Sequence, residues 1–475
     1  MKSRKDGRHN SFLRLPQGRN TLKILLAYEH IRRLRGTHGE WITSIGRALT
    51  QRDHDVHILC DSVADASLYP ELTFHSRRTF VRGESHRLAV LRHWAIRQLR
   101  DIDYDVSISF HAAIPAQIVI PIAGWIQTRL AREFREHRNP LWALALHLYP
   151  PVAERKFIES TLRKDTERVR MIGATSRGMK DALVDCYPKL ESRVRVVPGA
   201  SSFQPPPDFE SLKQMRSETR RALQLSEHDI VFLWASKRAG WHGAKYAIEA
   251  FFKAATSIPG NRVRLVLAAE GQWSLHRHAT EFRNLESIRI VGRTDHPERL
   301  LAACDVGINP AILSHLGRFT WECLAFGKPV IVSSNTAAAD RIRSREFGLA
   351  GRIVTPYDAV SLQKAIQELT DDERRRSATA AAENLAPTMQ FSGFIDRLEN
   401  LICELRGIPL LHDQLLADPF DSVALAALPT SPASNVATHF ASISASAVCE
   451  ENLPGDSPDA KEYRTGVVKG NVEHE

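Results

Sequence analysis

Residues 305–332 combine a strand, a polar loop, a short helix and a second strand. The first strand stops at Pro310, and the helix 318–326 carries Glu322 near its centre. Ligands of open α/β sheets lie beyond the carboxyl ends of the strands, where helix N-termini point at them. We therefore expect the loop 311–317 to face a ligand, and the amides that open the helix suit a phosphate group.

Basic side chains follow another predicted strand, 230–234, at the same expected edge. Lys237 and Arg238 come directly after this strand. A phosphate group is bound by cations and oriented amides in a dry cleft. We predict that these two side chains stabilise such a group, with Arg318 adding further charge. The alternative is that they are solvated charges of a surface loop.

His111 follows the strand 106–110, whose apolar residues predict burial. At the carboxyl end of a strand its side chain should face the cleft, and a satisfied structural histidine is the alternative. Asp101 and Asp103 form a D-x-D pair, a pattern that can hold a metal ion. Because this pair precedes the strand, it lies at the opposite edge of the sheet, and we interpret it as a solvated turn.

Strands and helices alternate along two stretches of the chain, which predicts two α/β domains with parallel sheets. A proline-rich linker at 205–207 separates the stretches, and a cleft between two such domains is a usual place for a ligand. The predicted strands are 22–28, 56–59, 106–110, 171–174 and 195–197 before the linker and 230–234, 263–268, 288–291, 306–308, 330–332 and 351–354 after it.

We divide the chain into five parts on this pattern. Amphipathic spacing predicts a late helix at 391–406, and the polar composition at both ends predicts disorder. The parts are a disordered basic N-terminus at 1–20, an N-terminal Rossmann-like domain at 21–204, a C-terminal Rossmann-like domain at 205–385, a C-terminal helix at 386–409 and a disordered acidic tail at 410–475.

The 475-residue sequence has a net charge of +9, with 43% hydrophobic and 25% charged residues, as globular proteins do. No apolar run reaches the roughly 20 residues that span a bilayer, and no secretory signal is recognised. The six cysteines show no paired or metal-like spacing. A cytoplasmic location is therefore expected. Basic residues are scattered without an aromatic-interleaved patch, so nucleic acid is not an expected partner, although the charge keeps it as an alternative.

One segment combines apolar and basic side chains at near-helical spacing, which suits a helix on an anionic membrane surface. Peripheral attachment to the inner membrane face is one hypothesis, and an ordinary solvated helix face is the other. The residues are Trp125, Ile126, Arg129, Arg132 and Arg135, with Arg87, Arg92, Arg97 and Arg100 nearby in sequence.

Segments along residues 22–405 resemble family 4 of the retaining, GT-B-fold glycosyltransferases, and most of all the lipopolysaccharide core glucosyltransferase I type. The donor-sugar motif of that family is matched in register by Pro310, Gly317, Glu322, Gly327, Pro329 and Val330. Further resemblances lie in 35–37 with 53–56, in 104–111, in 174–180 with 195–199, and in 291–295 with 301–305.

The resemblance implies an α/β protein with the GT-B fold, in which two Rossmann-like domains face a central cleft, followed by a C-terminal helix and a disordered tail. It implies that the N-terminal domain, 21–204, is the acceptor domain and that the C-terminal domain, 205–385, is the nucleotide-sugar domain. It implies a retaining hexosyltransferase that moves a hexose, such as glucose from UDP-glucose, to a saccharide or lipid-linked acceptor such as lipopolysaccharide core. No metal or other cofactor is implied, because the acceptor attacks on the leaving-group face with phosphate assisting as base.

Roles for individual residues follow from the same resemblance. Glu322 would accept hydrogen bonds from the ribose hydroxyls, since both oxygens of a carboxylate can accept. His111 would contact the donor sugar. The expected catalytic residues are His111, Lys237 and Arg238, and the expected donor-binding residues are Gly36, Thr37, His242, Ser314, His315, Leu316, Gly317, Arg318 and Glu322.

Two positions lack the charge that the family pattern carries. Ser314 stands where the family has a glutamate that holds a sugar hydroxyl, and losing a charged hydrogen bond costs about 1.5–3 kcal/mol. His242 stands where the family has a lysine, and it is a weaker phosphate anchor. Either the donor sugar differs, or His315 takes over, or activity is reduced. The alternative hypothesis is a GT-B-fold protein that binds nucleotide sugar or glycan with weak or lost transferase activity.

Overall fold

Two parallel β-sheets form the frame of the molecule in the computed structural model. All residues that the structure describes belong to one compact unit, Met1–Val423. The described residues are 21–32, 37–77, 84–122, 124–125, 156, 159–160, 163–236, 243–258, 262–269, 287–292, 294–311, 316–344, 348–356 and 358–408.

The first sheet has seven described strands, all parallel, in the order β3-β2-β1-β4-β5-β6-β7. With its helices it forms what we call the N-terminal half. Its strands are β1 (Lys23–Ile31), β2 (Asp55–Val63), β3 (Thr73–Ser76), β4 (Val106–Ser109), β5 (Ile118–Val119), β6 (Met171–Ala174) and β7 (Val194–Val196), and its helices are α1 (His38–Thr50), α2 (Glu84–Asp101) and α3 (Arg177–Cys186).

The second sheet has six described strands, also parallel, in the order β10-β9-β8-β11-β12-β15. With α4 to α9 it forms the C-terminal half. In chain order the elements are α4 (Phe209–Ala222), β8 (Ile230–Ser236), α5 (Ala244–Thr256), β9 (Val263–Ala269), β10 (Ile288–Val291), α6 (Pro297–Ala303), β11 (Val306–Asn309), α7 (Arg318–Ala325), β12 (Val330–Ser333), the antiparallel pair β13 (Arg343–Ser344) and β14 (Gly348–Leu349), β15 (Gly351–Val354), α8 (Ala359–Thr370), α9 (Asp372–Leu385) and a last helix α10 (Phe391–Arg406).

Burial explains why these segments form strands and helices. The first five residues of β8 are all buried, as expected for a central parallel strand that is covered on both faces. Helix α1 instead buries one face, with Trp41, Ile42 and Ile45 against the sheet. The Thr37 side chain caps this helix by accepting a hydrogen bond from the Glu40 amide at 3.2 Å.

Helix α10 packs against the N-terminal half, although it follows the C-terminal half in sequence. Phe394 lies in the same apolar core as Trp41, with 4.7 Å between the ring centroids. Arg52, just after α1, forms ion pairs with Asp396 at 2.6 Å and Glu399 at 2.5 Å. The last described helix is therefore part of the N-terminal core.

The strand and helix predictions are confirmed in the described residues, with ends that differ by a few residues. Each predicted strand is present, and so are the helices predicted at 318–326 and 391–406. Strands β3, β5, β13 and β14 were not predicted. The last three have two residues each, too few for a pattern, and β3 is a partly exposed strand without an apolar run.

Some of the residues predicted to face a membrane are buried or paired with other groups of the protein. Trp125 is buried in a cluster with Val119 and Ile172, so its side chain is not available to a membrane. Arg87 pairs with a carboxylate at 2.6 Å, and Arg92 donates to a backbone carbonyl at 3.1 Å. Ile126, Arg129, Arg132 and Arg135 lie outside the described residues. In the part of the chain that the structure describes, no helix has the length and apolar character to cross a bilayer.

Candidate active site

Strand β1 extends beyond the end of β4 at the carboxyl edge of the first sheet. Its last partner in β4 is Ser109, whereas its pairing with β2 continues to Ile31. The overhang carries Glu29 past the end of β4, where His111 begins the next loop. This edge therefore brings together side chains from two neighbouring strands, as open α/β sheets do at their ligand sites.

The imidazole of His111 is buried, and a backbone amide fixes one of its ring nitrogens. Nδ1 accepts a hydrogen bond from the Ala113 amide at 3.1 Å, which assigns the proton of the neutral ring to Nε2. Nε2 lies 3.7 Å from Glu29 Oε2. The ring also packs edge-on against Tyr28, with 6.4 Å between the centroids. His111 thus follows the buried strand β4, as the sequence pattern indicated, and its contact with a donor sugar stays a prediction.

Glu29 is the centre of a charged network that sequence reasoning missed. Its Oε1 accepts from Arg87 Nη2 at 2.6 Å and lies 3.2 Å from His30 Nε2. Burial raises the pKa of Glu29, but the hydrogen bond of His30 and the charges of His111, His30 and Arg87 together lower it to about 2. The carboxylate is therefore ionised at neutral pH.

The network continues from β1 to β2. His30 Nδ1 is 2.9 Å from Ser62 Oγ and 3.8 Å from Asp61 Oδ2. The sequence signal for this network was the polar run that directly follows the apolar residues of β1. The predicted strand ended at residue 28, so the residues after it were not considered as site residues.

Helix α7 supplies the candidate residues of the C-terminal half. Gly317 begins it with φ +63°, a left-handed conformation that glycine adopts readily. Arg318 Nη2 donates to Glu322 Oε1 at 2.8 Å, and its Nε donates to the same oxygen at 3.2 Å. Nη2 also donates to Ser202 Oγ at 3.1 Å. The predicted phosphate anchor and the predicted ribose ligand are thus paired with each other in this structure.

The two halves approach each other at this helix. The positive charge of Arg318 acts on the phenol of Tyr28 in β1, although burial and the charge of Glu29 together raise the pKa of Tyr28 well above its usual value. Gly199 of the N-terminal half also packs against α7, since a Cβ added at Gly199 would lie only 2.8 Å from Trp321 Nε1. The start of α7 therefore lies close to the end of β1, next to the edge that carries His111.

Two predicted donor-binding residues have structural side-chain roles. Leu316 is buried in the core cluster of the N-terminal half, so its side chain does not line a donor site. Thr37 is buried, and its hydroxyl caps α1. The backbone of both residues still lies at a helix N-terminus, where amides can bind a phosphate.

Two described residues at the ends of the loops after β8 and β11 lie close together. Gly243, which precedes α5, lies so close to Pro310 that a Cβ would be 2.7 Å from its carbonyl oxygen. The remaining predicted site residues lie outside the described residues. They are Gly36, Lys237, Arg238, His242, Ser314 and His315.

Two family models match the chain. Glycosyltransferase Family 4 matches residues 39–200, and Glycosyl transferases group 1 matches residues 215–385. Together the two matches run through the first sheet from α1 onward and through the second sheet.

Curated relatives are distant. A GDP-mannose-dependent monoacylated alpha-(1-6)-phosphatidylinositol monomannoside mannosyltransferase of Corynebacterium glutamicum is 25% identical over 198 residues, which are 39% of this chain and 50% of the relative. A D-inositol 3-phosphate glycosyltransferase of Corynebacterium aurimucosum is 23% identical over 327 residues, 65% of this chain and 74% of the relative. The chain thus spans about half the length of the first of these relatives.

Solved structures share the fold over most of the chain. WaaG, a glycosyltransferase involved in lipopolysaccharide biosynthesis, matches with a TM-score of 0.66 at 14% identity, covering 80% of this chain and 99% of its own. Anabaena HepE in complex with UDP-glucose matches with a TM-score of 0.57 at 17% identity, covering 81% and 99%.

Proposed function

Since the chain belongs to the GT-B glycosyltransferases, we propose that it transfers a hexose from a nucleotide sugar to a saccharide or lipid-linked acceptor. The observation that carries this proposal is the start of α7, where Arg318 and the buried Glu322 lie close to the end of β1, next to the edge that carries His111. UDP-glucose is the donor that we propose, because Anabaena HepE binds it. A lipopolysaccharide core is the proposed acceptor, because WaaG acts in that biosynthesis.

Donor binding would exchange the partners of the α7 side chains. In this structure one oxygen of Glu322 accepts from Arg318 twice. A ribose diol would take over Glu322, and the guanidinium would then turn toward the diphosphate, where fork-shaped donors match phosphate oxygens. Lys237 and Arg238 would add charge from the loop after β8. The leaving diphosphate would be stabilised by these cations and by the amides that open α7.

The chemistry we propose retains the anomeric configuration. The acceptor hydroxyl would attack C1 on the face that the diphosphate leaves, and a phosphate oxygen would take its proton. His111, fixed with its Nε2 toward the cleft, would donate a hydrogen bond to a sugar or phosphate oxygen. Neither a metal ion nor a protein nucleophile has a part in these steps.

A second candidate function is binding without transfer. It is favoured by the Arg318–Glu322 pair, which occupies the carboxylate that ribose would need. Ser314 and His242 favour it as well, because each removes a charge that the family pattern carries. In this case the protein would hold a nucleotide sugar or glycan tightly, and no diphosphate would be released.

A donor screen separates the two functions. Purified protein with a saccharide acceptor would be offered UDP-glucose, ADP-glucose and GDP-mannose, and release of nucleoside diphosphate would be measured. We expect release from one donor, and a loss of about 10–100-fold with Glu322→Ala, since hydrogen bonds to charged groups contribute about 1.5–3 kcal/mol. Glu368→Ala is the matched control, because Glu368 also pairs with an arginine at 2.5 Å but lies on α8.

Two outcomes would overturn the transferase proposal. If no donor is consumed while calorimetry shows tight binding, the protein is a binding protein. If Glu322→Ala and Glu368→Ala have equal effects, the start of α7 is not the donor site. The anomeric form of the product, read by NMR, tests retention separately.

A further inference from the structure

The start of α7 is fixed by a hydrogen bond from the next turn of the same helix. Gly317 begins the helix and has no side chain that could accept from the first helical amides. Glycine also loses more conformational freedom than any other residue when it is ordered. The indole of Trp321 donates from Nε1 to the Leu316 carbonyl oxygen at 2.5 Å. This hydrogen bond orients the peptide group that leads into Gly317.

The two partners of this hydrogen bond are anchored in different cores. Trp321 is 1% exposed and packs in the core of the C-terminal half. Leu316 is 4% exposed and packs in the core of the N-terminal half, together with Val197 and Ala200. The hydrogen bond is itself buried, so the carbonyl would be left desolvated without a donor if the indole moved away. The residue that precedes α7 is therefore held from both halves.

The chain segment 197–203, which we call the link, leads from β7 to α4 and lies against this hydrogen bond. A Cβ added at Gly199 of the link would lie 2.8 Å from Trp321 Nε1 and 3.2 Å from Leu316 Cδ1. These atoms belong to buried side chains in packed cores, which cannot move aside without loss of packing. A side chain at position 199 would therefore push the indole away from the Leu316 carbonyl.

The link is held in place by contacts of its own. Arg397 of α10 donates to the Pro198 carbonyl oxygen at 3.3 Å. At the other end of the link, Ser202 Oγ accepts from Arg318 Nη2 at 3.1 Å. The link thus contacts the start of α7 twice, once at Gly199 and once at Ser202.

We propose that Trp321 is a positioning residue for the start of α7, and that Gly199 of the link keeps its indole in place. Together they hold the opening amides of α7, and with them Arg318 and Glu322, in one geometry before the donor arrives. The inference rests on the proposed function, in which these groups bind the diphosphate and the ribose. Trp321 itself does not contact the donor, because its side chain lies inside the core. A site that is ordered in advance binds more tightly, since no ordering is left to accompany binding.

The first test replaces Trp321 with phenylalanine, which keeps an aromatic ring but removes the N–H donor. Trp41→Phe is the matched control, because Trp41 is also 1% exposed and its Nε1 has no hydrogen-bond partner within the described part of the chain. Calorimetry would titrate UDP, ADP and GDP into each protein, and the tightest of the three serves as the probe. We expect its Kd to rise about 5-fold in Trp321→Phe and less than about 2-fold in Trp41→Phe. The KM for the donor should rise by a larger factor than kcat falls.

The second test places a methyl group at position 199. Gly173→Ala is the matched control for Gly199→Ala, because a Cβ at Gly173 would be equally crowded, 2.6 Å from Ile120 Cγ1 in the core of the N-terminal half. Both variants should lower the free energy of unfolding, but we expect only Gly199→Ala to raise the Kd of the probe. Combining it with Trp321→Phe should raise Kd by less than the product of the two separate factors, because the hydrogen bond can be lost only once.

A third readout needs no ligand. Hydrogen–deuterium exchange of a peptide covering residues 316–322 should be faster in Trp321→Phe than in the wild-type protein, and unchanged in Trp41→Phe. This measurement also decides the matter if Gly199→Ala does not fold.

The outcomes separate the two proposals. A wild-type protein that binds none of the three nucleotides and consumes no donor contradicts the proposed function, and the exchange rates still test whether Trp321 fixes the start of α7. Unchanged exchange in Trp321→Phe overturns the inference. Faster exchange with an unchanged Kd also overturns it, because the hydrogen bond would then be structural only, and so do equal rises of Kd in Trp321→Phe and Trp41→Phe.

Discussion

Replacing Arg220 with methionine should destabilise the C-terminal half by about 4 kcal/mol, because it breaks a buried ion pair. The guanidinium is fully buried in α4. It donates to the Ser226 carbonyl at 2.7 Å, to the Ala303 carbonyl at 3.0 Å and to Asp305 Oδ2 at 2.8 Å. Methionine fills the space of the stem but leaves these oxygens buried without that donor. Removing one partner of such a pair costs about 3–5 kcal/mol.

Asp305 keeps other hydrogen bonds in Arg220→Met, so the expected loss of stability is below the upper end of the range of about 3–5 kcal/mol. Arg216 Nη2 still donates to Oδ1 at 2.6 Å, and the Val231 amide still donates to Oδ2 at 2.7 Å. The carboxylate therefore stays partly paired when Arg220 is lost. Because Val231 lies in β8 and Asp305 precedes β11, the same network aligns the two strands whose loops form the candidate site.

Urea unfolding, followed by the fluorescence of the buried Trp234, would measure the change in the free energy of unfolding. Arg221→Met is the matched control, since Arg221 is the next residue of the same helix and is exposed. We expect the control to cost less than about 0.5 kcal/mol. Equal losses of stability in the two variants would refute the argument, because they would show that the buried hydrogen bonds of Arg220 contribute nothing measurable.

Two further predictions concern acid and backbone geometry. The lowered pKa of Glu29, about 2 against an ordinary 4.5, contributes about 3 kcal/mol of stability above pH 4.5. This contribution is lost as the pH falls from 4.5 toward 2. The urea midpoint of Glu29→Gln should therefore depend less on pH in that range than the midpoint of the wild-type protein does. Equal slopes of urea midpoint against pH would contradict the prediction. Gly351→Ala should abolish folding, because a Cβ there would lie 1.8 Å from the Val330 carbonyl oxygen. Gly348 has φ +84° and open space around it, so Gly348→Ala should still fold, with a free energy of unfolding lower by about 1–2 kcal/mol. Thermal melts and soluble yield would check both glycine variants. A folded Gly351→Ala would contradict the prediction.

Most of the fold could be predicted because long apolar runs and helical spacing are local signals. The alternation of strands and helices is enough to predict two parallel sheets, and the structure confirms both. What the sequence does not contain is the partner of each element. The amphipathic pattern of α10 predicted a helix, but only packing shows that it belongs with Trp41 and Phe110 of the first sheet.

The candidate site was predictable where a residue sits at a strand end or a helix start. His111, Gly317 and Glu322 were placed by that rule, and the structure brings the elements that carry them together. Glu29 was missed because β1 continues three residues past the predicted end, still paired with β2. Arg87 was predicted to face a membrane surface because the sequence does not show that its partner is the carboxylate of Glu29.

Helix α10 also sets the order in which the molecule can be completed during synthesis. The N-terminal half is discontinuous along the chain, because its core contains Trp41 from the beginning and Phe394 from near the end of the described residues. The whole second sheet is therefore synthesised before α10, the helix that completes the core of the N-terminal half. Until then Trp41 lacks the cover that α10 provides, and transiently exposed apolar surface of this kind promotes aggregation. A fragment that ends before residue 391 would leave that face permanently open.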